Sequence, residues 1–164
     1  MSASIRSRLE TQLDALDVVL AGATSALADW RPASGDWSAR ENLAHLARHA
    51  TAFVERLDRI LREETPTLGR YRAEEDPEWI QWSGLALDEV LRRLRDVRRR
   101  LIDWVRAVPA DQWNRTGLHS SFGAMTIRDW LEFFLLHEAH HLYTAMGLIA
   151  EAKRQAASSK QEAR

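Results

Sequence analysis

One stretch constrains this chain more than any other: Thr126 to Ala150, TIRDWLEFFLLHEAHHLYTAMGLIA. Taken at steps of three and four from Ile127, it gives Trp130, Phe134, His137, His141, Ala145 and Leu148. That period predicts an amphipathic helix of about seven turns, with two imidazoles in the middle of its buried stripe. Histidines four apart share a helix face with about 6 Å of rise between them, so both can reach one ion. The rest of the chain then has to supply a bundle to bury this helix and a third ligand to complete the set.

The composition allows it. A chain of 164 residues, 45% of them hydrophobic, can bury the core of one globular domain. With a net charge of −1 there is no bulk electrostatic case for nucleic acid or for a membrane surface. The chain has no cysteine, which removes disulfides, thiolate metal sites and a cysteine nucleophile. Any thiol chemistry needs a thiol brought in by a cosubstrate. The opening MSASIRSRLE has no apolar signal region and no apolar run is long enough to span a bilayer, so a cytoplasmic location is expected.

Taken in order, Ser4 to Ala28 carries leucines at a helical period and predicts a first helix, broken at WRPASGDW by Pro32 and Gly35. A second helix opens at Ser38 with Glu41 three residues on, the pattern of a capping box. Its inner face runs Asn42, His45, Leu46, His49, Phe53, Leu57 and Ile60 or Leu61. From Glu63 to Ser83 the periodicity fails, which reads either as a lid or pocket wall or as a crossover between distant helix ends. Leu85 to Val108 predicts a third helix. Its outer face is dense in arginine (Arg92, Arg93, Arg95, Arg98, Arg99, Arg100), but interleaved acids make it a solvated, ion-paired face rather than a nucleic-acid surface. After a loop over Asn114 to Ala124, Thr126 and Asp129 cap the fourth helix. The expected fold is all-α: a four-helix bundle over residues 1–150 with one long connection between helices two and three. A polar tail, 151–164, is expected to fray.

Six histidines are available: His45, His49, His119, His137, His140 and His141. Several on the inward faces of two helices are hard to satisfy by packing alone, because each buried imidazole needs a polar partner. The run His137-Glu138-Ala139-His140-His141 also fits H-E-x-x-H, which makes Glu138 a candidate general base of a zinc peptidase. That reading lacks its usual surroundings, since no histidine follows His141 and no sheet is evident. The stripe selects His137 and His141 over His140, which is turned about 100° away. It does not choose between His45 and His49. His119 falls in a loop, with a pocket role and a surface role both open.

The segment Trp30 to His49, WRPASGDWSARENLAHLARH, resembles the opening of the DinB-like/YfiT-like superfamily of four-helix-bundle metalloproteins. Its marks are a tryptophan-serine helix start and a histidine in an A-H-L setting. The second half, from Gly117-Leu118-His119 through Gly123 and Thr126 to His137-x-x-x-His141-Leu142, is similar to that family's last helix. The resemblance implies a divalent-metal site of His45, His137 and His141. It also implies bundles that pair as homodimers, for which Trp30, Trp79 or Trp82 could serve an interface or else line a pocket.

Three neutral imidazoles leave a coordination position open, the pattern of a reactive site. Zinc is the first expectation and nickel the next, with iron and manganese allowed. Such a site could activate water for hydrolysis or a low-molecular-weight thiol for transfer to an electrophilic small-molecule substrate. Glu41, Asn42 and Glu138 are expected as outer partners of the ligands, with capping and solvent exposure as the plainer roles of the two acids. The competing readings are a non-enzymatic metal- or ligand-binding stress-response module, and histidines that are simply packed.

Overall fold

The computed structural model describes residues 2–162. The chain begins with α1 (Ala3–Thr11), a 3₁₀ turn (Gln12–Asp14) and α2 (Ala15–Val19), and then makes the short α3 (Ser25–Asp29). The single first helix expected over Ser4 to Ala28 is thus broken. Gly22 takes a left-handed φ of 65° that closes one break. At the other, the Gln12 amide turns inward to donate to Leu135 O (3.0 Å) and Glu138 Oε1 (2.8 Å). α4 (Ala39–Arg62) opens on the capping box expected from Ser38 and Glu41, with both reciprocal hydrogen bonds present. Its buried face is rich in alanine (Ala39, Ala44, Ala47, Ala50), which lets neighbouring helices approach closely.

The crossover carries β1 (Thr67–Leu68) and α5 (Trp79–Ser83), followed by α6 (Leu87–Ala107). A hairpin of β2 (Thr116–His119) and β3 (Gly123–Thr126) then leads into α7 (Ile127–Glu162). β1 pairs parallel to β2 with Leu68 opposite His119, and β2 pairs antiparallel to β3. This three-stranded sheet corrects the expectation of no strands. Two residues of β1 and four of each hairpin strand are too few for an alternating pattern to register. Gly117 sits where the strand approaches the core closely: a Cβ there would lie 3.0 Å from Ile60 Cγ1 and 3.1 Å from Leu68 Cδ1, so those side chains would have to shift to admit one. α7 also outruns its expected end at Ala150. It continues through the predicted tail to Glu162 with Ala152 buried, while residues 163–164 lie outside the described range. The chain is thus mainly α-helical, built on a four-helix bundle of the α1–α2 segment, α4, α6 and α7. Among the described residues no helix is long and apolar enough to cross a membrane.

The bundle has two apolar cores. One gathers Leu9, Phe53, Leu57, Leu101, Trp130 and Phe134, and the other Leu16, Leu43, Leu46, Leu94, Leu142 and Ile149. Between them every principal helix turns polar at the same height. The α1–α2 break gives Gln12, α4 gives His45 and His49, α6 gives Arg98, and α7 gives His137, Glu138 and His141. This polar waist holds the candidate site.

Candidate metal centre

The waist divides into two halves on opposite sides of α7. On one side His45 of α4 meets His137 and His141 of α7. The two Nε2 atoms of His45 and His137 are 3.3 Å apart, and one ring nitrogen from each of the three lies within 4.8 Å of the others. A tetrahedral ion with nitrogen ligands at about 2.05 Å separates its donors by about 3.3 Å, so the closest pair already stands at ligand spacing. The rings crowd together, with centroids 4.5 Å apart for His45–His141 and 4.6 Å for His137–His141. Burial pushes the His45 pKa down to about 2, that of His137 to about 3 and that of His141 to about 4, with neighbouring imidazoles adding to the effect. All three are therefore neutral at pH 7 and present lone pairs, the protonation state a metal requires.

The donor set fits a divalent ion. Converging lone pairs on neutral rings repel one another unless a proton or a cation lies between them. Asn42 fixes the third ring: its Nδ2 donates to Ser38 O (2.9 Å), and its Oδ1 lies 2.8 Å from His141 Nδ1. The His141 proton is thereby placed on Nδ1, leaving Nε2 as the donor atom. Of the outer partners expected from sequence, Asn42 is thus in position. Glu41 is occupied by its capping box and by an ion pair with Arg31.

The choice left open between His45 and His49 falls on His45. His49 is buried one turn along α4, its ring centroid 4.2 Å from His137 and its plane nearly parallel to that of Phe134. It is the inner wall of the site rather than one of the converging three. His140 is exposed and stands edge-on to His141 at the rim. His119 lies in β2 rather than in a loop, and is buried facing the same cleft.

The site floors an open cleft of about 690 Å³ whose walls include Trp37, Tyr71, Arg56 and Phe133. The irregular Glu63–Ser83 segment supplies one wall, so it acts both as crossover and as pocket wall. Arg48, one turn from His45, anchors it through Asp76 (Nε to Oδ2, 2.7 Å), and Tyr71 Oη donates to the same carboxylate (2.8 Å). Sequence reasoning missed this Arg48–Asp76–Tyr71 triad. The available signal was Arg48 itself, a cation between the two histidines of an otherwise inward face. Trp79 packs on Trp37 beside His45, and Trp82 is buried beneath the Arg93 guanidinium.

Residues 8–145 match the model of the DinB superfamily. The chain belongs to that superfamily. No curated protein matches the sequence. Among solved structures it is similar to YfiT from Bacillus subtilis, described as a probable metal-dependent hydrolase with an unusual four-helix bundle topology. The identity is 21%, the TM-score is 0.72, and the match covers 96% of this chain and 90% of that one. The likeness establishes the bundle fold.

In this DinB-superfamily chain the expectation for Glu138 is corrected. Its carboxylate is fully buried on the other side of α7, paired with Arg98 of α6 and accepting from Gln12. It neither lines the cleft nor faces solvent, so H-E-x-x-H here is a coincidence of spacing. Arg98, assigned from sequence to the solvated face, is buried with it. Its neighbours Arg92, Arg93 and Arg99 do form the expected surface ion pairs with Glu89 and Asp96.

The Asn42 contact carries an expected result. Asn42→Leu removes the acceptor that fixes the His141 tautomer, and metal affinity should fall about 10- to 100-fold, the usual cost of losing such a partner. Competition with a chromophoric chelator measures it. An unchanged affinity would mean that the 2.8 Å contact does not orient the ligand.

Proposed function

We propose that this protein is a metal-dependent enzyme of small-molecule metabolism, with His45, His137 and His141 holding a divalent ion, zinc first and nickel next. One observation carries the reading. Three neutral imidazoles converge at the floor of an open cleft, where their unshared side faces the space a substrate would fill. A bound divalent ion would supply Lewis acidity there, making a thiol or a water easier to deprotonate. The chain's own residues do the rest. Asn42 orients His141, His49 backs the ligands from inside, and Trp37 and Tyr71 wall the floor against bulk water.

Transfer of a low-molecular-weight thiol to an electrophile is the leading reaction. Among the described residues no carboxylate stands at the floor to take a proton from water, since Glu138 and Glu41 are engaged elsewhere and Glu74 is on the rim. A thiol, with a pKa of about 8.5, needs far less help to ionise than water does. Hydrolysis is the second reading, favoured by the description of YfiT. A non-enzymatic binding role is the outcome if neither reaction is found. The test is turnover of zinc- and nickel-loaded protein in two assays, thiol consumption with an electrophile and cleavage of activated esters and amides. His45→Ala should lose whichever activity the wild type has, with its circular dichroism unchanged. Full turnover in that variant would sink the assignment.

A further inference from the structure

Away from the three converging imidazoles, three separate segments bring polar side chains to one part of the cleft wall. Arg56 comes from the last turns of α4, Arg70 from the chain just after β1, and His119 from the end of β2. The parallel register of Leu68 with His119 stitches the last two together. His119 is not an ordinary surface histidine. Its Nδ1 accepts hydrogen bonds from the backbone N–H groups of Ser121 (3.0 Å) and Phe122 (3.3 Å), and its ring packs among Phe122, Trp130 and Phe133. An Nδ1 that accepts two hydrogen bonds cannot carry the proton, so the ring is fixed as the Nε2–H tautomer. That N–H has no acceptor among the described residues, and the ring lines the cleft.

The two arginines are also short of partners. Arg56 is partly buried and donates to Gly69 O (2.7 Å), yet among the described residues neither it nor Arg70 has a carboxylate within ion-pair distance. A guanidinium drawn out of water without a counter-charge is costly, and it favours an anion arriving from the cleft. Burial lowers the His119 pKa, and the charges of Arg56 and Arg70 lower it further, which keeps the ring a neutral donor. Glu74, the one acid on the cleft wall among the described residues, also borders Trp37 and Asn42 on the Pro32–Asn42 side.

We propose that Arg56, Arg70 and the Nε2–H of His119 form an anion subsite that grips a carboxylate or phosphate on the substrate while its reacting group lies over the three-histidine cluster. The inference rests on reading the cleft as the active site, but its test does not depend on metal. Inorganic phosphate and succinate are titrated calorimetrically into the protein as isolated, into chelator-stripped protein, and into the His45→Ala, Arg56→Gln, Arg56→Lys and Arg70→Gln variants. Saturable binding of at least one anion is expected, and the tighter of the two identifies the group recognised. It should survive metal removal and His45→Ala, weaken about tenfold or more in Arg56→Gln and in the exposed Arg70→Gln, and recover in part in Arg56→Lys. A long-range ¹H–¹⁵N spectrum should show the His119 proton on Nε2 and shift it when the anion is added. No saturable binding of either anion, binding unchanged in both Arg→Gln variants, or a His119 proton on Nδ1 would overturn the subsite. Anion binding that disappears with the metal would also overturn it, placing the anion on the ion instead. Arginine-dependent binding in a protein that holds no metal would keep the subsite and remove the metal reading.

Discussion

His141→Ala should leave the protein without its metal. The wild type, purified without a tag, is expected to carry about one equivalent of a divalent ion by elemental analysis, and the variant none. Two ligands would remain, His45 and His137, and the loss in affinity should exceed the 10- to 100-fold typical of removing an outer partner such as Asn42. Thermal unfolding gives an independent readout. A ligand that binds only the folded state at a thousand times its Kd adds about 4 kcal/mol, so zinc or nickel should raise the melting temperature of the wild type and leave that of the variant where it was. A wild type that holds no ion and gains no stability from either metal would reduce the cluster to packed imidazoles.

Glu138→Gln should do the opposite, keeping the metal and losing the fold's stability. Arg98 and Glu138 are buried together, their side chains 7% and 1% exposed. Neutralising the carboxylate strands a guanidinium in the interior, which costs about 3–5 kcal/mol. For a chain of this size that lowers the melting temperature by on the order of 10 °C. Metal content should be unchanged, because the carboxylate is on the far side of α7 from the cluster. The double replacement Arg98→Leu with Glu138→Leu should restore much of the loss, since buried ion pairs are often no more stabilising than apolar residues of similar volume. A Gln variant with wild-type stability and no turnover would instead return Glu138 to the role of general base.

These two residues also show what the sequence could and could not disclose. The α7 stripe, the Ser38 capping box and the Thr126–Asp129 cap were all legible, because each is a local pattern with a fixed period or offset. The bundle followed from them. Glu138 was not legible: a residue between two ligands on a helix buried over a wide arc can face either neighbour, and period alone does not say which. Its partner carried a usable sign, since Arg98 lies on the Leu94–Leu101 stripe of α6 rather than opposite it. His45 could not be separated from His49 by periodicity, being one turn away on the same face. What decides between them is reach: His45 meets the rings of both His137 and His141, whereas His49 stands beside His137. The hairpin and β1 went unseen because strands this short leave almost no alternation. With them went the placement of His119 and the stitching of the cleft wall.

The distance along the chain between the converging imidazoles has a consequence for biosynthesis. His45 and His137 are 92 residues apart, with the whole crossover, α6 and the hairpin between them. A ribosome adding residues at about 5–20 per second releases α4 seconds before α7 exists outside the tunnel. Until then α4 presents the His45–His49 pair, one turn apart on a helix that can pack on α6 but still lacks α7. The three donors come together only when α7 docks against α4. An ion held by all three imidazoles would therefore bind only after α7 has docked, drawn from whatever pool the folded protein meets.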